Sequence, residues 1–469
     1  MNRTIRRVVP ILGLAVALRA PLARAQADAG LPAEMRSAID AAAREVLAAT
    51  GAPSASVAVL RDGKIAYVQA YGDAKVDPRA PAGSPMRYSI GSVSKQFTAT
   101  AILMLAEEGK LSLDDPVSRF LPDLTRANEV TIRQLLSHTS GYQDYWPQDY
   151  VPPFMLQEIT AAAILDKWAK KPLDFEPGTQ YQYSNTGYVA AGVIVEKASG
   201  MGLLEFLGSR VFSPLGMASV ADIDRQTLGP NDPVGYIRYA LGPLRVGPKE
   251  GKGWLFAAGE LAMTAEDLAR WDVGMLDQKL LKPASYRQMQ TEVLLKNGLG
   301  IHYGLGIDVT RWDGRRVLEH GGEVSGFTAE NVVFPDDRAA IVVLVNQDSI
   351  GASAAIAQKV AAILFAKGGA GPAEARARQI LEGLQKGKVD RTIFTSNGNS
   401  YFTDQAIQDF SSSLAPLGAV KQIKQTRSND RGGMTFRLFE AKYSGKSLSI
   451  WERDMPDGRI EQFQVMPGE

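Results

Sequence analysis

Cysteine is absent from this sequence, and histidine occurs only at His138, His302 and His320. The first absence excludes a disulfide framework, a thiol nucleophile, a cysteine metal site and a lipid-modified cysteine. The scatter of the three histidines leaves no histidine-based metal centre to argue. An excess of one charge is lacking too: 52 basic residues face 51 acidic ones, which excludes the basic footprint of a nucleic-acid-binding domain. What is present is 45% hydrophobic and 8% aromatic content over 469 residues, enough for one large core and a smaller one.

Residues 1 to 25 carry Arg3, Arg6 and Arg7, then the apolar run Val8 to Leu18, then Ala23-Arg24-Ala25. A basic start, a short apolar stretch and a small-x-small ending form the pattern of a cleaved export signal. The run is too short to span a bilayer, so stable membrane insertion is not expected. Removing the segment's five arginines leaves 47 basic against 51 acidic residues, a formal charge of −4, ordinary for a soluble surface. The expected location is the periplasm or the outside of the cell.

Hydrophobic periodicity divides the rest. An amphipathic helix is expected over Ala33 to Ala49, then strands Ser54 to Leu60 and Lys64 to Tyr71 around the turn Arg61-Asp62-Gly63. Helical patterns and Pro/Gly-rich loops fill the stretch from about Ser89 to Asp277. Four late strands are expected at Tyr303 to Thr310, Arg316 to His320, Thr328 to Phe334 and Ala339 to Val345, then a helix over Ala352 to Lys367. Strands at both ends with helices between them imply one antiparallel sheet flanked by helices, with an inserted helical region, an α/β fold class. The uninterrupted apolar run Ile341-Val342-Val343-Leu344-Val345 implies burial on both faces. Gly368 to Pro372 reads as a linker, and residues 373 to 469 as a small α+β accessory domain with a helix at Ala373 to Lys386 and three strands.

Chemistry concentrates at Ser92-Val93-Ser94-Lys95. From Val93 to Ala106 the only charged residue is Lys95, so an apolar helix carries an ammonium into the interior, where it is normally refused. Ser92 stands three residues earlier, on the same helical face, near backbone amides at the helix start. A desolvated lysine loses its proton more readily and can activate a serine hydroxyl for acyl transfer. Two further stretches offer partners: Tyr183-Ser184-Asn185, presenting a phenol and an amide, and His320-Gly321-Gly322-Glu323, whose glycines let backbone amides approach a ligand. Standing alone, each also reads as turn chemistry or a strand end.

Together, in this order, the three stretches resemble the serine beta-lactamase and penicillin-binding-protein superfamily. They are most similar to its class C-like branch, which includes D-alanyl-D-alanine carboxypeptidases, D-aminopeptidases and family VIII carboxylesterases. Leu135 to Gly141 (LLSHTSG) and Ala258 to Trp271 (AGELAMTAEDLARW) are also typical of the group. The resemblance covers about residues 33 to 367 and implies a beta-lactamase/transpeptidase-like fold. It casts Ser92 as nucleophile, Lys95 as the proton-handling amine and Tyr183 as general base or acid. Asn185 becomes a partner of Lys95 and of the substrate, and His320, Gly321, Gly322 and Glu323 line the substrate, with the Glu323 amide as an oxyanion donor beside that of Ser92. His138 is implied to be structural, and His302 is given no role.

This chain departs from the lactam-binding pattern at the third motif, where His320 and Gly321 stand in place of lysine and threonine. The departure removes a cation and a hydroxyl that would face a substrate carboxylate. The resemblance therefore implies a hydrolase of an amide or ester bond, in a D-amino-acid peptide or a small ester, without metal or cofactor. Its partner is a small molecule or short peptide, and association with peptidoglycan stays open. Also open are a true beta-lactamase, against which His320-Gly321 argues, and a non-turnover penicillin-recognising or scaffold protein. The accessory domain resembles nuclear transport factor 2-like or other small appended domains.

Overall fold

The computed structural model describes residues 30–366, 372–431 and 434–468. The expected signal at 1–25 and most of the expected linker, 368–371, lie outside them. At the centre is a seven-stranded antiparallel sheet in the order Ala80–Pro81, Lys64–Lys75, Ser54–Arg61, Ala339–Val345, Phe327–Phe334, Arg315–Val324, Asp308–Trp312. The first and last parts of the chain meet where Ala58 pairs with Val342 and Val57 with Val343. Successive side chains leave a strand on opposite faces, and here both faces are covered. Val57, Val59, Ile341 and Val343 pack against Ile39, Val46, Ile356 and Val360 of the helices Ala33–Thr50 and Ala352–Leu364. Ala58, Leu60, Val342 and Leu344 join the larger core with Phe97 and Trp271 of the inserted helical region. Each fully buried Val, Leu or Ile contributes about 1.5–3 kcal/mol, which is why a run with no polar interruption settles in the middle of the sheet.

The site is carried by the helix Lys95–Glu107, buried on all sides from Lys95 to Leu105. Ser92 is not part of the α-helix, as expected from the pattern, but of a one-turn 3-10 segment, Gly91–Ser94, that feeds it. A polar chain locks the helix to the sheet through the interior. Trp271 Nε1 donates to Gln96 Oε1 (2.7 Å), Gln96 Nε2 to Asn331 Oδ1 (3.0 Å), and Asn331 Nδ2 to both carboxyl oxygens of Asp272 (2.9 Å each). Buried polar groups hold their place only when partnered, so this chain fixes the rotation of the helix. Burial pushes the Asp272 carboxyl well above the usual range.

Several element bounds differ from those expected, each for a local reason. The strand expected at Tyr303 begins at Asp308, because Tyr303 is drawn out of it to pack among the rings of His138, Tyr181 and His320. The next strand does not end at His320 but continues to Val324, so the third motif lies within a strand. The helix expected from Val189 starts at Asn185, capped by Ser184, whose hydroxyl accepts from the Gly187 amide (3.2 Å).

Residues 372–431 and 434–467 build a second, four-stranded antiparallel sheet with its own core of Leu381, Phe394, Phe439, Ile450 and Phe463, among others. One of its strands, Gln422–Arg431, has no sequence signature: it is an edge strand, and Ile423 is its single apolar residue. Edge strands are commonly polar because one side faces no partner. Gln425 Nε2 donates to Asp313 Oδ1 (2.8 Å) at the tip of a hairpin of the first sheet.

Replacing Asn331 by alanine leaves the Asp272 carboxyl and the Gln96 Nε2 group without partners in the interior. We expect a loss of about 2–4 kcal/mol, read as a lower urea midpoint at unchanged slope.

Candidate active site

Three elements converge on Ser92: the start of the helix Lys95–Glu107, the start of the helix Asn185–Ser199, and the end of the strand Arg315–Val324. Lys95 is fully buried, and its Nζ has three neighbours. It lies 2.9 Å from Ser92 Oγ, 2.8 Å from Asn185 Oδ1 and 2.8 Å from the Ala258 carbonyl oxygen. The last two can only accept. A neutral amine has two N–H donors and one lone pair, so the two donors are taken by Asn185 and Ala258 and the lone pair is left for the Ser92 hydroxyl. Burial lowers the Lys95 pKa to about 7, opposed by the negative charge of Asp144.

Asp144 sits one step behind. Its Oδ2 accepts from Asn185 Nδ2 (3.1 Å) and its Oδ1 from the Asn185 backbone amide (3.1 Å), which turns the Asn185 carbonyl toward Lys95. Burial raises Asp144 to about 6. The other acceptor, Ala258, belongs to the short helix Phe256–Gly259, where Asp224 takes the amides of Leu255 and Phe256 (3.2 Å each). Both acceptors of Lys95 are thus set by a carboxylate behind them.

Burial pushes the Tyr183 phenol far above the ordinary range, opposed by the Ser92 hydroxyl beside it, so at neutral pH it holds its proton. Its ring is stacked on His138 at 4.1 Å and lies 5.0 Å from Lys95 Nζ. His138 is buried in a left-handed backbone conformation (φ 59°). Its Nδ1 accepts from the Ser184 amide (3.1 Å), while Nε2 has no partner among the described residues. Burial, with Lys95 and His320 nearby, drives its pKa well down. It is therefore a neutral ring that fixes the plane of Tyr183.

The strand end closes the third side. Asp308–Trp312 pairs with its neighbour only as far as Glu319. Beyond that point the strand edge lies along Gly91–Ser94. A Cβ on Gly322 would stand 1.9 Å from the Ile90 carbonyl oxygen and 3.2 Å from the Ser92 nitrogen, and one on Gly91 (φ +50°) would stand 2.7 Å from the Glu323 nitrogen. Two backbones meet here with no room for side chains, which brings the Glu323 amide beside the Ser92 turn. The Glu323 side chain points elsewhere: its Oε1 accepts from the Ser349 amide (3.0 Å) and hydroxyl (3.2 Å).

His320 offers the groove no free nitrogen. Nε2 meets the Tyr303 hydroxyl (2.9 Å) and Nδ1 its own strand's Gly321 carbonyl (2.6 Å). Burial and Lys95 lower its pKa to about 3, so it carries no charge. Gly321 is exposed, and the Glu330 carboxyl lies 3.8 Å from where its Cβ would be. His302 stays exposed, 3.4 Å from Glu292. Of the residues expected at the site, Ser92, Lys95, Tyr183, Asn185 and the Gly322–Glu323 backbone come together, whereas the His320 ring is turned into an aromatic pocket. Among the described residues, no cluster of three or more His, Cys, Asp or Glu could hold a metal ion.

Comparison with known proteins gives a consistent picture. A sequence profile of the beta-lactamase family matches residues 39–364. The chain is 30% identical to penicillin-binding protein 4* of Bacillus subtilis over 62% of this chain and 68% of that protein. It is 27% identical to a D-aminopeptidase of Gluconobacter oxydans over 70% of this chain and 62% of the relative, so the match spans less than two thirds of that protein's length. Among solved structures, a D-stereospecific amidohydrolase from a Streptomyces species superposes with a TM-score of 0.61 at 28% identity, over 69% of this chain and 98% of its own. An octameric penicillin-binding protein homologue from Pyrococcus abyssi shares the fold over 92% of this chain and 98% of its own, with a TM-score of 0.63 at 21% identity.

The neighbouring glycines separate steric need from chemistry. Gly322→Ala should lose stability and reactivity at Ser92, because its Cβ would meet backbone that cannot yield. Gly321→Ala, whose Cβ has nothing nearer than 3.8 Å, should keep both. Thermal melting and covalent labelling by a fluorophosphonate read the two effects.

Proposed function

From a chain that belongs to the beta-lactamase family, we propose an exported serine hydrolase that cleaves an amide or ester bond through a covalent acyl-serine. Its substrates on this reading are D-amino-acid amides or short peptides and small esters. The observation that carries the reading is the buried Lys95 amine, whose two acceptor-only partners leave its lone pair for Ser92.

In the first half of the cycle Lys95 takes the Ser92 proton as Oγ bonds to the substrate carbonyl carbon. The amides of Ser92 and Glu323 hold the oxygen that becomes negative. Tyr183, which keeps its proton at neutral pH, passes it to the departing nitrogen or oxygen and is reprotonated from Lys95, so the bond to the leaving group breaks without a charged amide anion. Water then gives a proton to the free Lys95 amine as its oxygen bonds to the acyl carbon, and the bond to Ser92 Oγ breaks as that proton passes from Lys95 to the serine oxygen. Every step uses groups of this chain.

The substrate class rests on two supports. The relatives include proteins named as a D-aminopeptidase, a D-stereospecific amidohydrolase and a D-amino acid amidase. The third motif, besides, presents a neutral His320, which supplies no cation for the carboxylate of a lactam substrate. Work in the periplasm or outside the cell, with peptidoglycan fragments in reach, completes the proposal.

Ser92→Ala should abolish labelling and turnover. Lys95→Ala and Tyr183→Phe should each lower kcat/KM by about two to four powers of ten. With D- and L-phenylalanine amides as a pair, the parent protein should favour the D form; turnover by Ser92→Ala would refute the mechanism, and a preference for the L form the substrate class.

A further inference from the structure

Beyond Glu323 the strand turns through Ser325 and Gly326, and the amides of this turn are held by side chains from elsewhere. The Gly326 amide goes to Asp348 Oδ2 (3.1 Å). The Ser325 amide goes to Glu250 Oε1 (2.8 Å), and the same oxygen accepts the hydroxyl proton of Tyr150. Glu250 is 9% exposed and lies in an irregular stretch without regular structure of its own. A buried carboxyl in such a place needs a reason, since its desolvation is costly unless its partners offset it.

The two partners come from two different stretches of the chain, each leading to the surroundings of Ser92. Ser325 is two residues from the amide that faces Ser92. Tyr150 belongs to the segment 144–159, which begins with Asp144 behind Lys95 and exposes Trp146 and Phe154, each 55% accessible. That segment is tied to the Glu250 stretch again through the Gly251 amide to the Met155 carbonyl (2.7 Å), the Ile159 amide to the Lys252 carbonyl (2.8 Å) and Trp254 Nε1 to the Gln157 carbonyl (2.8 Å). Glu250 is where this laced segment touches the strand end.

We infer that Glu250 is a positioning residue for the oxyanion donor: by holding the Ser325 amide against Tyr150, it fixes the strand tip so that the Glu323 amide stays aimed at the oxygen developing over Ser92. The inference rests on the functional reading above, in which Ser92 is the nucleophile and the Glu323 amide an oxyanion donor. An oxyanion donor acts through placement, so displacing it by a fraction of an ångström weakens the transition state while leaving ground-state binding nearly intact.

The test compares the full chain with Glu250→Ala, Glu250→Gln and Tyr150→Phe, using a p-nitrophenyl ester. Sites are counted by fluorophosphonate titration, so that misfolded protein drops out, and phenylboronic acid serves as the probe of the tetrahedral state. In Glu250→Ala, kcat per titrated site should fall about ten- to a hundredfold with KM within about threefold, and boronate affinity should fall in parallel. Glu250→Gln, which keeps an acceptor oxygen for Ser325, should recover most of the loss. Tyr150→Phe should give a smaller drop of the same kind, and it decides the matter if Glu250→Ala yields no titratable sites. Unchanged kcat per site in Glu250→Ala, no rescue by glutamine, or an unchanged Tyr150→Phe overturns the inference. A parent protein that is not labelled at Ser92 instead overturns the functional reading beneath it.

Discussion

A lysine amine removed from water is the constraint on which the rest of this molecule depends. An ammonium in an apolar interior is costly, and the protein meets the cost by lowering the proton affinity of Lys95 and by supplying acceptors for the N–H groups that remain. The acceptors are a side-chain amide and a backbone carbonyl, neither of which is charged. A carboxylate in their place would have formed an ion pair and kept the proton on the amine. Asp144 stands one residue further out, close enough to orient Asn185 and far enough that burial still prevails.

That arrangement makes demands on the whole fold. Lys95 can be buried only on a helix surrounded on all sides, which requires the inserted helical region on one flank and the sheet on the other. The helix must also not rotate, and the Trp271–Gln96–Asn331–Asp272 chain prevents it. The strand carrying Glu323 must then run close enough to the turn before the helix for two backbones to touch, and Gly91 and Gly322 leave that space. Tyr183, held flat on His138, closes the remaining side. Stability and reactivity are bound together here, since the same packing that excludes water lowers the pKa.

Much of this was legible in the sequence, for identifiable reasons. The lone charge of Lys95 in an apolar helix announces its own burial, and Ser92 three residues earlier follows from helical geometry. The central strands were visible because a sheet covered on both faces writes an unbroken apolar run, as at Ile341–Val345. What escaped is whatever acts without a residue signature or from a distance. The Ala258 carbonyl is backbone and could belong to any residue. Asp144 and Glu250 are single acids in irregular stretches, whose meaning comes from Asn185 and Ser325, 41 and 75 residues away. The orientation of His320 could not be read either: the motif places it at the groove, but Tyr303, expected in a strand, leaves it to claim the imidazole.

The most direct test of this account is the rate at which a fluorophosphonate labels Ser92 as a function of pH, followed by intact mass. If Lys95 activates the serine as a free amine, the rate rises with a single inflection near 7, the value burial gives it, and is level above. A rate that keeps climbing toward about pH 10, the range of an ordinary lysine or tyrosine, would contradict it.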